Sequence, residues 1–203
     1  YLPRNELMDQ RERYTRHFAH LPGQKVQLYN EILLKAGFEP MPVYRGEPED
    51  PINAPELFKK YPLIFTDEHS EYINHHSWMR NVPWLRELRK NNYIKINPKT
   101  AEKYGIKEGD WVEVTSPHGV MKAVAWIFPG IRPDTIMGQH GNWQGCKELG
   151  FPEYSTLNGG TNPNVLFNWE NRDQITENLT KNTLVRIRKT SIPDEVLPVK
   201  EAG

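Results

Sequence analysis

The feature that most constrains the fold is a series of short strand-like runs, each bounded by a turn or a helix stop. Residues 93–96 alternate in polarity, and Asn97-Pro98 then supplies a helix N-cap followed by proline at the first helical position. The sequence predicts one or two helical turns over 100–104, ended by Gly105, and a second strand over 111–115. Strands this short, separated by turns and helix stops at such close spacing, predict a small β barrel.

Further strands are predicted on both sides of this region, at Leu63–Thr66, Val120–Phe128, Thr135–Met137 and Thr183–Arg188. Residues 116–119 carry proline at the second position and glycine at the fourth, as in a type I turn, so strands 111–115 and 120–128 form a hairpin. The 17 prolines, 14 glycines and six tryptophans suit a turn-rich β domain better than a helical bundle. The coarse prediction is six or seven short strands with one or two short helices.

The first sixty residues differ in character from the rest. Residues 1–20 are highly charged and too poor in apolar side chains to fold alone. Residues 26–33 show helical spacing before Gly37, and five prolines between residues 40 and 55 indicate an extended connector. We therefore predict that residues 1–60 are an arm or linker from a preceding domain that packs on the barrel or on a partner chain; the alternative is a disordered tail. Residues 61–190 form the barrel, and residues 191–203 a C-terminal tail.

Charge and composition exclude several classes of function. The chain has 26 basic and 26 acidic side chains and a formal net charge of zero, which argues against a general nucleic-acid binder. No run of apolar residues is long enough to predict a transmembrane segment. The single cysteine, Cys146, excludes an internal disulfide, a cysteine-rich zinc site and an all-cysteine iron–sulfur cluster. The sequence leaves the cellular compartment open.

No catalytic or metal-binding constellation is apparent. His75 and His76 are adjacent, so their side chains point apart in regular structure, and no third ligand stands at suitable spacing. The phosphate-loop, dinucleotide-loop and nucleophile-elbow motifs are all missing from the sequence. We predict no catalytic residue and no metal ligand in this chain.

Three polar segments instead suggest binding loops, at residues 66–80, 138–143 and 157–164. They are rich in asparagine, glutamine, histidine and glycine. Side-chain amides both donate and accept hydrogen bonds without adding charge, which suits a neutral heterocycle such as a pterin or guanine. Glycine allows backbone N–H groups to approach a pyrophosphate closely. The alternative is ordinary turn chemistry, because asparagine and glycine are common in all loops.

Several ordered motifs match a known family, at residues 63–77, 96–112, 139–143, 164–166 and 184–186. The second runs from strand through Asn97-Pro98 and a short helix to Gly109-Asp110-Trp111-Val112. Together they resemble the C-terminal molybdopterin-dinucleotide-binding domain of the dimethyl sulfoxide reductase superfamily, and residues 71–88 resemble its acetylene-hydratase-like branch. The chain departs from the family pattern after the first strand, where Asp67 and His69 replace a glycine and an arginine.

The resemblance implies a double-psi β-barrel of the aspartate-decarboxylase-like type, mainly β with short helices. It also implies that the chain clamps bis-molybdopterin guanine dinucleotide, whose molybdenum or tungsten is held by other parts of the enzyme. The chain is then the last part, or a small partner, of a prokaryotic oxidoreductase or a hydratase-like relative. Its partners are the preceding domains or the large catalytic subunit. Alone it is expected to be inactive and to hold no iron–sulfur cluster. The alternative is a stand-alone barrel that acts as a recognition module without cofactor.

We expect the loops at one end of the barrel to converge on the cofactor. Asn164 offers an amide that pairs with a donor and an acceptor, Ser77 a hydroxyl, and Lys181 a charge-assisted bond to a phosphate or a pterin carbonyl. The predicted cofactor-binding residues are Thr66, His69, His75, His76, Ser77, Gln139, His140, Asn162, Asn164 and Lys181.

Overall fold

The structure is a computed structural model, which describes residues 27–44, 46–70, 82–139, 143–179 and 182–194. The chain divides into two compact units between residues 45 and 46. In the first unit, helix α1 (Glu31–Lys35) begins at Asn30, whose side chain accepts hydrogen bonds from the N–H groups of Ile32 and Leu33. Gly37 follows the helix with φ +85°, so the predicted helix stop is present, although the helix begins later than the apolar spacing suggested.

The second unit contains six strands, three α-helices and two short 3₁₀ segments among its described residues. In chain order these are α2 (Pro55–Lys60), β1 (Leu63–Glu68), α3 (Pro83–Arg86), β2 (Tyr93–Ile96), α4 (Pro98–Tyr104), β3 (Trp111–Thr115), β4 (Val120–Ile127), β5 (Thr135–Gln139), the 3₁₀ segments Lys147–Leu149 and Pro163–Leu166, and β6 (Asn182–Lys189).

The six strands close into a barrel in the order β1-β5-β2-β4-β3-β6. The pairs β1–β5 and β2–β4 are parallel, and the other four pairs are antiparallel. Strands β1, β3 and β5 therefore finish at one end of the barrel, where β2, β4 and β6 begin. We call this the upper end. The mainly β fold with a closed barrel and few short helices confirms the predicted fold class.

Local signals around α4 explain why its position could be predicted closely. The side chain of Asn97 accepts a hydrogen bond from the N–H of Lys99, and Pro98 occupies the first helical position. Gly105 ends the helix with φ +64°, a conformation that costs glycine little. Helix α2 was not predicted, because the proline-rich segment before it suggested an extended connector. Pro55, however, stands at the first turn of α2, where proline is favourable.

The barrel interior is filled by apolar side chains from all six strands. Phe65, Ile94, Val112, Ala125, Ile136 and Val185 are fully buried there. Phe65 also lies 5.7 Å, centroid to centroid, from the ring of Phe167, which follows the second 3₁₀ segment. This contact joins the core to the loop that bears Asn162 and Asn164. Among the described helices, none has the length and apolar character needed to cross a membrane.

Candidate cofactor-binding site

The upper end of the barrel brings together the ends of β1 and β5 and the beginning of β2. Glu68 lies opposite Gln139 in the parallel pair, and Ile94 lies opposite Gly138 in the antiparallel pair. An added Cβ at Gly138 would lie 2.6 Å from Cζ of Phe65, so only glycine lets the strands approach this closely over the core. The ends of β1 and β5 therefore lie side by side at the upper end.

The loop at residues 155–164 is fastened to the same end by backbone and amide hydrogen bonds. The Nδ2 of Asn92, just before β2, donates to the Thr161 carbonyl at 2.7 Å. On β4, the N–H of Lys122 donates to the Gly160 carbonyl at 2.7 Å. Because Asn92 is completely buried, this attachment is shielded from water. The third polar segment of the sequence thus lies at the same end of the barrel as Glu68 and Gln139.

A buried charged cluster lies on β1, β2 and β5 at this end. The Nζ of Lys95 lies 2.8 Å from Oε1 of Glu68. The Nε2 of Gln139 donates to the same oxygen at 3.2 Å. Lys95 also stacks over the rings of Trp126 and Phe128, with Nζ 4.7 and 5.0 Å from their centroids. The side chains of Lys95 and Glu68 are only 8% and 21% exposed, so the pair is largely withdrawn from water.

Arg86, at the end of α3, connects two segments of the upper end. Its Nη1 donates to the Gln144 carbonyl at 2.6 Å, and its Nη2 to the Lys90 carbonyl at 3.0 Å. The guanidinium also lies over the ring of Phe151, 5.5 Å from its centroid. Burial lowers the pKa of Arg86 below its ordinary value. The residue joins the segment before β2 to the segment after β5.

Several buried polar atoms at this end have no hydrogen-bond partner within the described ranges. They are Oγ of Ser70, Oδ1 of Asn92, Oγ1 of Thr161 and Oε1 of both Gln139 and Gln144. Native proteins rarely leave such atoms unpaired, and the exceptions need an explanation, such as a bound ligand. All five atoms are neutral, and hydroxyls and amide oxygens match the ring N–H, amino and carbonyl groups of a pterin. The residues present therefore fit a pterin cofactor.

A cavity of about 510 Å³ opens near the turn between β3 and β4. Its lining includes His118 of that turn, Asn158 of the fastened loop, and Phe167. Glu49 contacts His118 of this lining: its carboxylate lies 2.7 Å from Nε2 of His118. The same carboxylate accepts a 2.7 Å hydrogen bond from Oγ1 of Thr183. The cavity falls in the size range of small-ligand pockets.

Five of the ten predicted site residues lie in the described ranges. Thr66 lies on β1 opposite Met137, Gln139 is the last residue of β5, and His69 is exposed just beyond β1. Asn162 caps the second 3₁₀ segment and also donates to the Thr156 carbonyl, so its amide stabilises its own loop. Asn164 is exposed on that segment. The remaining predicted residues, His75, His76, Ser77, His140 and Lys181, lie outside the described residues.

The sequence did not single out Glu68, Arg86, Asn92 or Lys95 as functional residues. Two of these residues carried a weak signal. Lys95 stands between two apolar residues in a short strand, and Arg86 lies in the segment that resembles the acetylene-hydratase-like branch. Among the residues that the structure covers, no three histidine, cysteine, aspartate or glutamate side chains are placed to hold a metal ion.

The closed barrel, with neutral unpaired groups gathered at one end, is a small-molecule-binding barrel with no metal ligand set among its described residues. Its family follows from comparison of the sequence: residues 63–184 match the model described as "Molydopterin dinucleotide binding domain". The chain belongs to this molybdopterin dinucleotide-binding family, which confirms the resemblance stated above. Residues 63–184 are therefore a molybdopterin dinucleotide-binding domain.

Named relatives agree with this assignment. The chain is 34% identical over 135 residues to acetylene hydratase of Syntrophotalea acetylenica, an alignment covering 64% of the chain and 18% of that protein. It is 37% identical over 103 residues to dopamine dehydroxylase of Eggerthella lenta, covering 51% of the chain and 10% of that protein. The solved structure of acetylene hydratase from Pelobacter acetylenicus superposes with a TM-score of 0.70 at 28% identity, covering 83% of this chain and 24% of that one. The chain thus spans less than a quarter of each of these proteins.

Proposed function

We propose that the upper end of the barrel holds the pterin portion of molybdopterin guanine dinucleotide, two copies of which carry molybdenum or tungsten in the complete enzyme. The observation that carries this proposal is the set of buried, unpaired and uncharged polar atoms gathered at that end. An apolar ligand would leave these atoms unsatisfied, whereas the hydrogen-bonding edge of a pterin pairs with them.

The residues named from the sequence take complementary roles in this proposal. Gln139 and Thr66 contact the cofactor from the barrel wall, and Asn164 contacts it from the fastened loop, while Asn162 holds that loop in shape. His69 lies just beyond β1, at the same end of the barrel. His75, His76, Ser77, His140 and Lys181 are proposed to complete the site from the neighbouring segments.

The bound cofactor supplies the redox or Lewis-acid chemistry of the metal. The residues of this chain bind the pterin, orient it and exclude water from one side of it. By analogy with the names of the relatives, the whole enzyme is an oxidoreductase or a hydratase-like relative. We further propose that its metal ligand and any iron–sulfur cluster belong to preceding domains or to a large catalytic subunit, which are the partners of this barrel.

The test of the proposal is Asn164→Ala in the complete enzyme. Asn164 is exposed, so its replacement leaves the barrel folded, while the loss of one amide contact weakens cofactor binding by about 5- to 150-fold. Metal content and released pterin, measured per mole of protein, should both fall. Glu102→Ala is the matched control, because Glu102 is exposed on α4, which follows the lower end of β2. Equal cofactor content in both variants, with only thermal stability reduced by Asn164→Ala, would show that Asn164 is structural.

A further inference from the structure

The buried cluster on β1, β2 and β5 fixes which way the Gln139 amide points. Glu68 accepts hydrogen bonds from Lys95 at 2.9 Å and from Nε2 of Gln139 at 3.2 Å. An ionised carboxylate has no hydrogen to donate, so only the NH₂ side of the amide is able to face it. The carbonyl oxygen, Oε1 of Gln139, must therefore point to the opposite side.

That oxygen has no partner in the described part of the chain, although Gln139 is 0% exposed. Rotating the amide would not relieve this, because Oε1 would then oppose the Glu68 carboxylate. Buried acceptors are rarely left unpaired, so we expect a donor from outside the described chain.

Lys95 makes the arrangement rigid. Its ammonium group lies against the faces of Trp126 and Phe128 and against Glu68, so three neighbouring side chains hold the charge in place. Without this cation the carboxylate would be a partly buried, uncompensated charge. The ion pair thus supports the amide, since Lys95 lies against both carboxylate oxygens of Glu68 and Gln139 donates to one of them, Oε1.

We propose that Glu68, held by Lys95, is a positioning residue that sets the Gln139 amide so that its Oε1 accepts a hydrogen bond from a ring N–H or amino group of the pterin. This inference rests on the proposed function. In this contact the pterin is the hydrogen-bond donor and the side chain of Gln139 is the acceptor.

A double-mutant cycle in the complete, cofactor-loaded enzyme tests the inference. The variants are Gln139→Met, which keeps the length of the side chain but removes the acceptor, Glu68→Gln, and the two combined. The readout is the rate at which pterin fluorescence is released from the loaded protein under mild heating. We expect Gln139→Met to release pterin about tenfold faster, the loss expected for one buried hydrogen bond. Glu68→Gln should accelerate release as well, and should add nothing when Gln139→Met is already present.

Because Glu68→Gln leaves Lys95 without its counter-charge, Glu68→Asp is the companion variant. It retains the charge but withdraws the carboxylate from Gln139, so it should also accelerate release. An acceleration by Glu68→Gln or Glu68→Asp that persists in the Gln139→Met background would overturn the positioning role. Unchanged release in Gln139→Met, alongside faster release in Asn164→Ala, would refute the inference but leave the proposed function standing. If neither variant changes release, the proposed function itself fails.

Discussion

Arg86→Ala is expected to lower the free energy of unfolding by about 3–5 kcal/mol, the largest effect of any polar substitution at the upper end. Arg86 is only 1% exposed and is among the largest fully buried side chains. Its removal leaves the carbonyls of Gln144 and Lys90 without their charged donor and opens a space beside Phe151. Chemical denaturation of the enzyme, followed by tryptophan fluorescence, measures the loss.

Two further variants separate the role of geometry from that of charge. Arg86→Lys keeps the charge but lacks the planar fork that reaches two carbonyls, so it should recover only a minor part of the loss. Arg132→Ala is the surface control, since the Arg132 side chain is 79% exposed and pairs with Asp134. It should cost less than about 1 kcal/mol. If Arg86→Ala were as mild as Arg132→Ala, Arg86 would not connect the two segments energetically.

Gly160→Ala is expected to destabilise the protein by about 3 kcal/mol, at the upper end of the usual range for overpacking. An added Cβ would lie 1.8 Å from the carbonyl oxygen of Ser155, a backbone atom that cannot move aside without shifting the loop. The same loop bears Asn162 and Asn164. The variant should therefore release cofactor faster as well as unfold more easily, which the fluorescence and denaturation measurements report separately.

Gly159→Ala provides the comparison for Gly160→Ala. Gly159 has φ +88°, but nothing lies within 4 Å of its ideal Cβ position. Its substitution should cost only the strain of a left-handed alanine, about 1–2 kcal/mol. A Gly160→Ala variant that retained cofactor at the unmodified rate would mean that the loop shape is not needed for binding.

Local chemistry explains which parts of the fold could be predicted from the sequence. Strands β2 and β3 were predicted with the bounds observed, and the cap at Asn97 and the stop at Gly105 act on neighbouring residues alone. Strands β1, β5 and β6 extend one or two residues beyond the prediction. Their pairing with distant strands continues past the residues whose apolar pattern indicates a strand. The order of the elements and the alternation within the strands were therefore sufficient to predict the barrel.

The candidate site was predictable only in outline. Polar loop composition identified the segments around Gln139 and Asn164, and the structure brings both segments to one end. The role of Lys95 could not be predicted, since alternation in β2 shows only that Ile94 and Lys95 face opposite sides. Its burial depends on Trp126 and Phe128 of β4 and the loop after it, and its partner Glu68 is 27 residues away in the chain. Contacts of this kind arise from the closed barrel and leave no local pattern.

Hydrogen–deuterium exchange of the complete enzyme, with and without its molybdopterin cofactor, tests most directly whether the upper end of the barrel is the binding site. We expect the cofactor to slow amide exchange at residues 68–70, at Gln139 and through residues 158–164, while the turns at residues 107–110 and 129–133, at the opposite end, exchange equally in both samples. Protection confined to the opposite end, or equal exchange at the upper end with and without cofactor, would contradict the assignment.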